Sequence, residues 1–175
     1  MILPAGTPTL IDVQDLLALP KQTVSPMVWK LRTHRRGIEY HSDLLLKTSG
    51  VILQDTRLLL RYIVLPVPLP PSYNLILLLN NCRVYAIDVE PPEKQHRNTM
   101  AGAGRPYYGR EVGHIHEHTW SKEGDGYAEP LVLSGQPAHR EYWHCFAVRT
   151  NITVIGGYKN PADTLSGQID FLEDW

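Results

Sequence analysis

The sequence predicts an α+β protein, one curved antiparallel β-sheet or open barrel with an N-terminal and a C-terminal helix. Three observations predict it. A short amphipathic segment stands near the start, a series of apolar runs too brief for helices follows, and helical spacing returns at the end. With 175 residues, 43% of them hydrophobic, the chain can bury a real core and most naturally forms one domain. The expected division is a helix and linker over 1–25, a β-rich core over 38–155 and a final helix over 161–175.

In the first segment, Leu10, Val13, Leu16, Leu17 and Leu19 suit one helix face, with Thr9 as N-cap, Asp12 in the first turn and Pro20 as the stop. The runs "YHSDLLLKTSGVILQ", "RLLLRYIVLPV", "NLILLLNN" and "RVYAIDVE" then read as four strands of a meander, with Asn80 and Asn81 at a turn. "PPEKQHRNTMAGAGRPYYG" is a polar loop longer than a connection requires, which points to function or mobility. A strand carrying "GHIHEHTW" comes next, then "GYAEPLVL" and a strand over "EYWHCFAVRTNI". Leu165, Ile169 and Leu172 predict the closing helix.

Composition excludes several classes. Lys plus Arg number 17 against 18 Asp plus Glu, so no global field marks a general nucleic-acid or membrane binder. The one basic patch, Lys30, Arg32, His34, Arg35 and Arg36, could face phosphate, but its size is that of an ordinary solvated turn and supplies only a few of the contacts that strong binding needs. Pro66, Pro68, Pro70 and Pro71 divide the most apolar region into pieces far shorter than the roughly 20 residues that span a bilayer. No signal-peptide pattern follows Met1, and Cys82 and Cys145 read as small core residues, so a cytoplasmic protein is expected. There is no nucleophilic serine elbow, no phosphate-binding glycine motif and no HExxH.

The chemistry concentrates in "GHIHEHTW". On a strand, His114, His116 and His118 would project from one face, about 6.5–7 Å apart, with Ile115 and Glu117 on the other. Such a row suits a divalent transition metal held by neutral imidazoles, with Asp88, Glu123 or Asp125 completing the shell. It suits acid–base catalysis equally. A plain polar sheet face is the third reading. Upstream, Asp88 ends an apolar strand where it can orient an imidazole. The loop offers Arg97, Arg105 and Arg110 to a phosphate and Tyr107 and Tyr108 to a base. His144, between Trp143 and Cys145, reads as a core or edge histidine.

Two resemblances bear on this region. The run from Gly109 through His116 and His118 to Glu123 is similar over a short span to the metal-binding motif of cupins, which implies a metal protein. It departs in glycine-to-histidine spacing, in Pro130, and in lacking a second histidine motif. Along the whole chain, "DLLALPK", Trp29, "IDVEPPEKQHRN" and "GHIHEHTWSKEGDGYAEPL" resemble, in that order, an uncharacterised family of small bacterial proteins, a domain of unknown function. That resemblance implies site positions at Asp88, His96, Asn98, His114, His116, Trp120, Tyr127, Ala128, Pro130 and Leu131, and an association with toxin–antitoxin and phage-defence genes. His118 stands where the family has an aromatic residue, which favours the smaller set of Asp88, His96, His114 and His116.

The resulting expectation is a small intracellular enzyme acting on RNA or a nucleotide, a nuclease by class. His96, His114 and His116 would do acid–base work, Asp88 would orient them, and Arg97 or Arg105 would hold phosphate. The alternatives are a non-catalytic interaction protein, antitoxin-like or an anti-defence binder, that grips a protein partner, and a cupin-like metal protein.

Overall fold

The computed structural model describes residues 4–34, 37–135 and 137–163. Helix α1 (Leu10–Ala18) opens on Thr9, whose Oγ1 accepts from the Asp12 amide while the Asp12 carboxylate accepts from the Thr9 amide. It turns Val13 and Leu16 inward. Short strands β1 (Lys21–Thr23) and β2 (Lys30–His34) follow, then the meander of β3 (Gly37–Thr48), β4 (Val51–Val64), β5 (Ser72–Leu79) and β6 (Cys82–Val89). Asn80 and Asn81 both have positive φ, 51° and 61°, which is what a tight turn between β5 and β6 requires. Beyond the meander come β7 (His96–Arg97), β8 (Glu111–Gly113), β9 (Ile115–Ser121), β10 (Gly124–Pro130), α2 (His139–Thr150) and β11 (Ile152–Thr153).

Among the described residues the main sheet has nine strands in the order β10-β9-β6-β5-β4-β3-β1-β11, with β2 on the same edge of β3 as β1. All pairs are antiparallel except β1 with β11. Register shifts at Leu45/Leu46, Leu77/Leu78 and Gly124/Tyr127 add local twist, and the sheet curls into an open half-barrel. The expected α+β class with a helix in each terminal region is what forms.

Strand alternation gives the sheet two faces of different chemistry. Leu58 opposite Leu77, Leu60 opposite Leu75 and Tyr62 opposite Tyr73 make the apolar face. Helix α2 lies on it, with Phe146 against Tyr85 and His139 against Tyr73. On the other face stand Arg61, Asn74, Asp88 and His116, each directly opposite the next on β4, β5, β6 and β9.

Two expectations change. The run 139–150 is helix rather than strand, because His139, Tyr142, Trp143, Phe146 and Thr150 recur at helical spacing and all are buried. Glu141 accepts from the Ala138 amide at its start, and Asn151, at φ 51°, ends it. His144 is therefore an exposed helix residue, neither core nor sheet edge. The closing helix over 161–175 lies, from residue 164 on, outside the described residues, as do Arg35 and Arg36 of the basic patch.

His139 is 3% exposed, ringed by Trp29, Tyr62, Tyr73 and Tyr158, and its Nδ1 is hydrogen-bonded to the Tyr158 hydroxyl. Burial pushes its pKa down to about 4. A depressed histidine contributes stability that is complete above the unfolded value near 6.5 and is lost as pH falls toward 4, here by at most about 3 kcal/mol. The urea midpoint should therefore fall between pH 7 and pH 4.5. In His139→Phe it should fall measurably less over the same interval.

Candidate metal centre

The site is assembled around Asp88, near the end of β6. Asn74 on β5 donates from Nδ2 to Asp88 Oδ1 at 2.8 Å. On the other side His118 Nε2 stands 3.1 Å and His116 Nε2 3.7 Å from Asp88 Oδ2, and Arg83 Nη1 lies 3.6 Å from the same oxygen. Burial raises the carboxyl's pKa, but the hydrogen bond and charge of His118, then Asn74 and Arg83, outweigh it and hold Asp88 at about 2. It is a carboxylate throughout the physiological range.

His114 does not join this group. Strand β9 begins at Ile115, and His114 sits in the bend between β8 and β9, where its carbonyl accepts from the Glu90 amide. Gly113, at φ 85°, makes that bend and sends β8 away to pair with β7. In this pairing His96 stands opposite Gly113, and its ring reaches the two histidines of β9. The trio that forms is His96, His116 and His118, with His96 in the place expected for His114.

The three rings form a triangle, centroids 4.8 Å apart for His96–His116 and 4.9 Å for the other two pairs. One donor atom from each lies within 4.8 Å of the others. Hydrogen bonding fixes which nitrogens are spoken for. His116 Nδ1 donates to the Gly113 carbonyl at 3.1 Å, which leaves the Nε2 lone pair. His118 uses Nε2 on Asp88, and its Nδ1 is buried without a partner. His96 Nε2 is also buried and unpartnered. Burial pushes His116 down to about 4, opposed in part by the Asp88 charge, and burial with the charge of His118 lowers His96. Free ring nitrogens on imidazoles oriented through their second nitrogen, as His116 is by Gly113 and His118 by Asp88, have the character of metal ligands. A tetrahedral zinc site spaces donor nitrogens by about 3.3 Å, closer than the 4.8 Å within which one nitrogen from each ring falls, so the rings would draw together to hold one ion.

The other predicted residues hold the loop to the sheet. Asn98 is fully buried: its Nδ2 donates to the carbonyls of Tyr107 and Ala128, and its Oδ1 accepts from the Ala128 amide. Arg105 lies 3.8 Å over the Tyr127 ring and pairs with Glu129 at 2.9 Å. Gly102, at φ 81°, passes so close that a Cβ there would meet Tyr127 Cδ2 at 2.0 Å. Trp120 belongs to the core cluster. Arg97, Arg110 and Tyr108 are exposed and Tyr107 is half-buried, none of them lining the cleft at the histidines. Glu123 accepts from the Gly102 amide and Asp125 pairs with Arg83, so of the three expected carboxylates only Asp88 meets the rings.

The histidines open into a cleft of about 130 Å³ shared with Arg83, Glu90, Lys94 and Gln95. Through Arg83, Asp88, Glu90 and Lys94 it joins a groove of about 890 Å³ across β4–β6. Asn74, Arg83, Glu90 and Lys94 had no motif to announce them. Their signal is the strand register, which places Asn74 opposite Asp88. Among the described residues no helix is long and apolar enough to cross a membrane. Compared with models of protein families, with curated proteins and with solved structures, the chain finds no match in any of the three.

Replacing Asn98 should unfasten the loop. Asn98→Ala strands a buried amide and a buried carbonyl of Ala128, for a loss of about 2–4 kcal/mol in urea unfolding. Faster proteolysis within residues 99–110 should accompany it.

Proposed function

We propose that this protein is a metalloenzyme in which His96, His116 and His118 hold one transition metal ion for metal-assisted hydrolysis. The observation that carries the reading is that two buried ring nitrogens, His96 Nε2 and His118 Nδ1, stand unpartnered within the triangle of histidine rings. Unsatisfied buried polar atoms are rare in folded proteins and call for a ligand or a proton. Three imidazoles without a thiolate suit zinc, iron, nickel or manganese, and a three-ligand set leaves a coordination position for water. Bound there, the ion would supply Lewis acidity and an acidified water. The protein's own part is to orient the ligands. Asp88 fixes His118 through Nε2, and the Gly113 carbonyl fixes His116 through Nδ1.

A second reading keeps the acid–base chemistry expected from the sequence. Asp88 and His118 form a carboxylate–imidazole dyad at 3.1 Å, and a dyad can activate a nucleophile on RNA or a nucleotide without a metal. It predicts RNA or nucleotide cleavage that survives chelation.

The deciding experiment is elemental analysis of untagged protein, as purified and after zinc reconstitution. About one equivalent of metal per chain is expected, lost in His116→Ala and His118→Ala, retained in His114→Ala, and bound about 10- to 100-fold more weakly in Asp88→Asn. Protein that takes up no metal after reconstitution, or loses it in His114→Ala as readily as in His116→Ala, overturns the proposal.

A further inference from the structure

The cleft at the histidines and the groove beside it differ in lining, and together they describe a substrate. Besides its histidines the cleft presents two carboxylates, Asp88 and Glu90, and two cations, Arg83 and Lys94, so its charge cancels. A divalent ion on neutral imidazoles raises the balance to two positive charges, in a site walled by protein where fields are poorly screened. Arg83 is set by the carboxylates of Asp88 and Asp125, and Lys94 by Glu90 at 2.5 Å. Both therefore stand at the rim in place before any ligand arrives.

The groove leading away has a different character. Ile63, Leu65, Leu69 and Ile76 supply an aliphatic floor, with Arg61 tied to Glu39 at its side. Its lining contains no aromatic ring, so the stacking surface on which a nucleobase would lie is absent there. Tyr107 and Tyr108, which the sequence offered for that purpose, belong to the loop held on Tyr127 and do not line the groove.

We infer that the site takes an aliphatic molecule with a terminal oxyanion, a phosphate or a carboxylate, whose head lies between the metal, Arg83 and Lys94 and whose chain runs along Ile63, Leu69 and Ile76. This rests on the metal reading above and goes beyond it in naming the substrate class. The oxyanion answers the charge that the ion creates, and the chain answers the floor.

The test uses cobalt(II)-loaded full-length protein, whose visible absorption responds to a change in the ion's coordination. Inorganic phosphate, hexyl phosphate, hexanoate and adenosine monophosphate are titrated in turn. Hexyl phosphate or hexanoate should perturb the spectrum at a concentration at least about tenfold lower than inorganic phosphate, since burying even two methylenes suffices for that ratio. Whichever of the two binds tighter identifies the head group. Arg83→Gln should raise the required concentration of every anion, and Leu69→Asp, in an exposed part of the floor, should remove only the advantage of the chain. No spectral response to any anion, equal response to inorganic phosphate and hexyl phosphate, or a preference for adenosine monophosphate overturns the inference. Failure to bind cobalt at all overturns the metal reading itself, and the same titration shows which of the two has failed.

Discussion

The ionised carboxylate of Asp88 is the interaction on which this end of the molecule depends. A buried charge is tolerated only where its neighbours stand in for water, and here the Asn74 amide and the His118 imidazole lie within hydrogen-bond reach, with the Arg83 guanidinium at 3.6 Å. Because sheet alternation has a period of two, the register that opposes Asp88 to Asn74 and His116 is the same one that turns Tyr85 and Ile87 into the core. A slip by one residue would bury the charge in the apolar face and expose the core, so core packing and site geometry select the same pairing.

The break at Gly113 and His114 does the second essential thing. An unbroken strand from Glu111 to Ser121 would line up His114, His116 and His118 along one side, too extended to surround a single point. By bending there, the chain loses His114 from the row and frees β8 to pair with β7, which carries His96 inward from another direction. Three donors from two directions enclose a volume, whereas three along one strand only edge it. Asn98 and Arg105 then fasten the connecting loop to β10 and Tyr127, so the placement of His96 depends on buried hydrogen bonds some distance from its ring.

What the sequence disclosed was local. Thr9 with Asp12, the stop at Pro20 and the Asn80–Asn81 turn are decided by neighbours within a few residues and formed as expected, whereas the run read as one strand through Gln54 turns at Ser49 and Gly50, and β4 continues through Asp55. The run 139–150 misled because its Tyr, Trp and Phe have strand propensity, while its burial follows a helical period that becomes decisive only against the sheet. In the site, Asp88, His96, His116 and His118 were each within reach of motif reading, but their grouping was not. It depends on which strands become neighbours and on one positive-φ glycine. The arginines and tyrosines of the long loop drew attention as free ligands, and much of that chemistry is spent on holding the loop down.

The two faces of β9 carry two buried carboxylates whose surroundings differ. Glu117, between His116 and His118 in sequence, points to the helix side, where Tyr85 donates to it at 2.7 Å and Arg149 of α2 pairs with it. Both carboxylates are thus buried, each with a neutral donor and a cation: Asn74 and Arg83 for Asp88, Tyr85 and Arg149 for Glu117. The two networks differ in where their contacts lead. Around Glu117 the contacts end in a docked helix. Around Asp88 they end in imidazole nitrogens without a partner among the described residues, beside a cleft that opens into a groove. Buried orphan atoms occur elsewhere, Thr119 Oγ1 on the helix side among them, but at the histidines they coincide with a cleft, which is what makes the Asp88 side the one to test for a ligand.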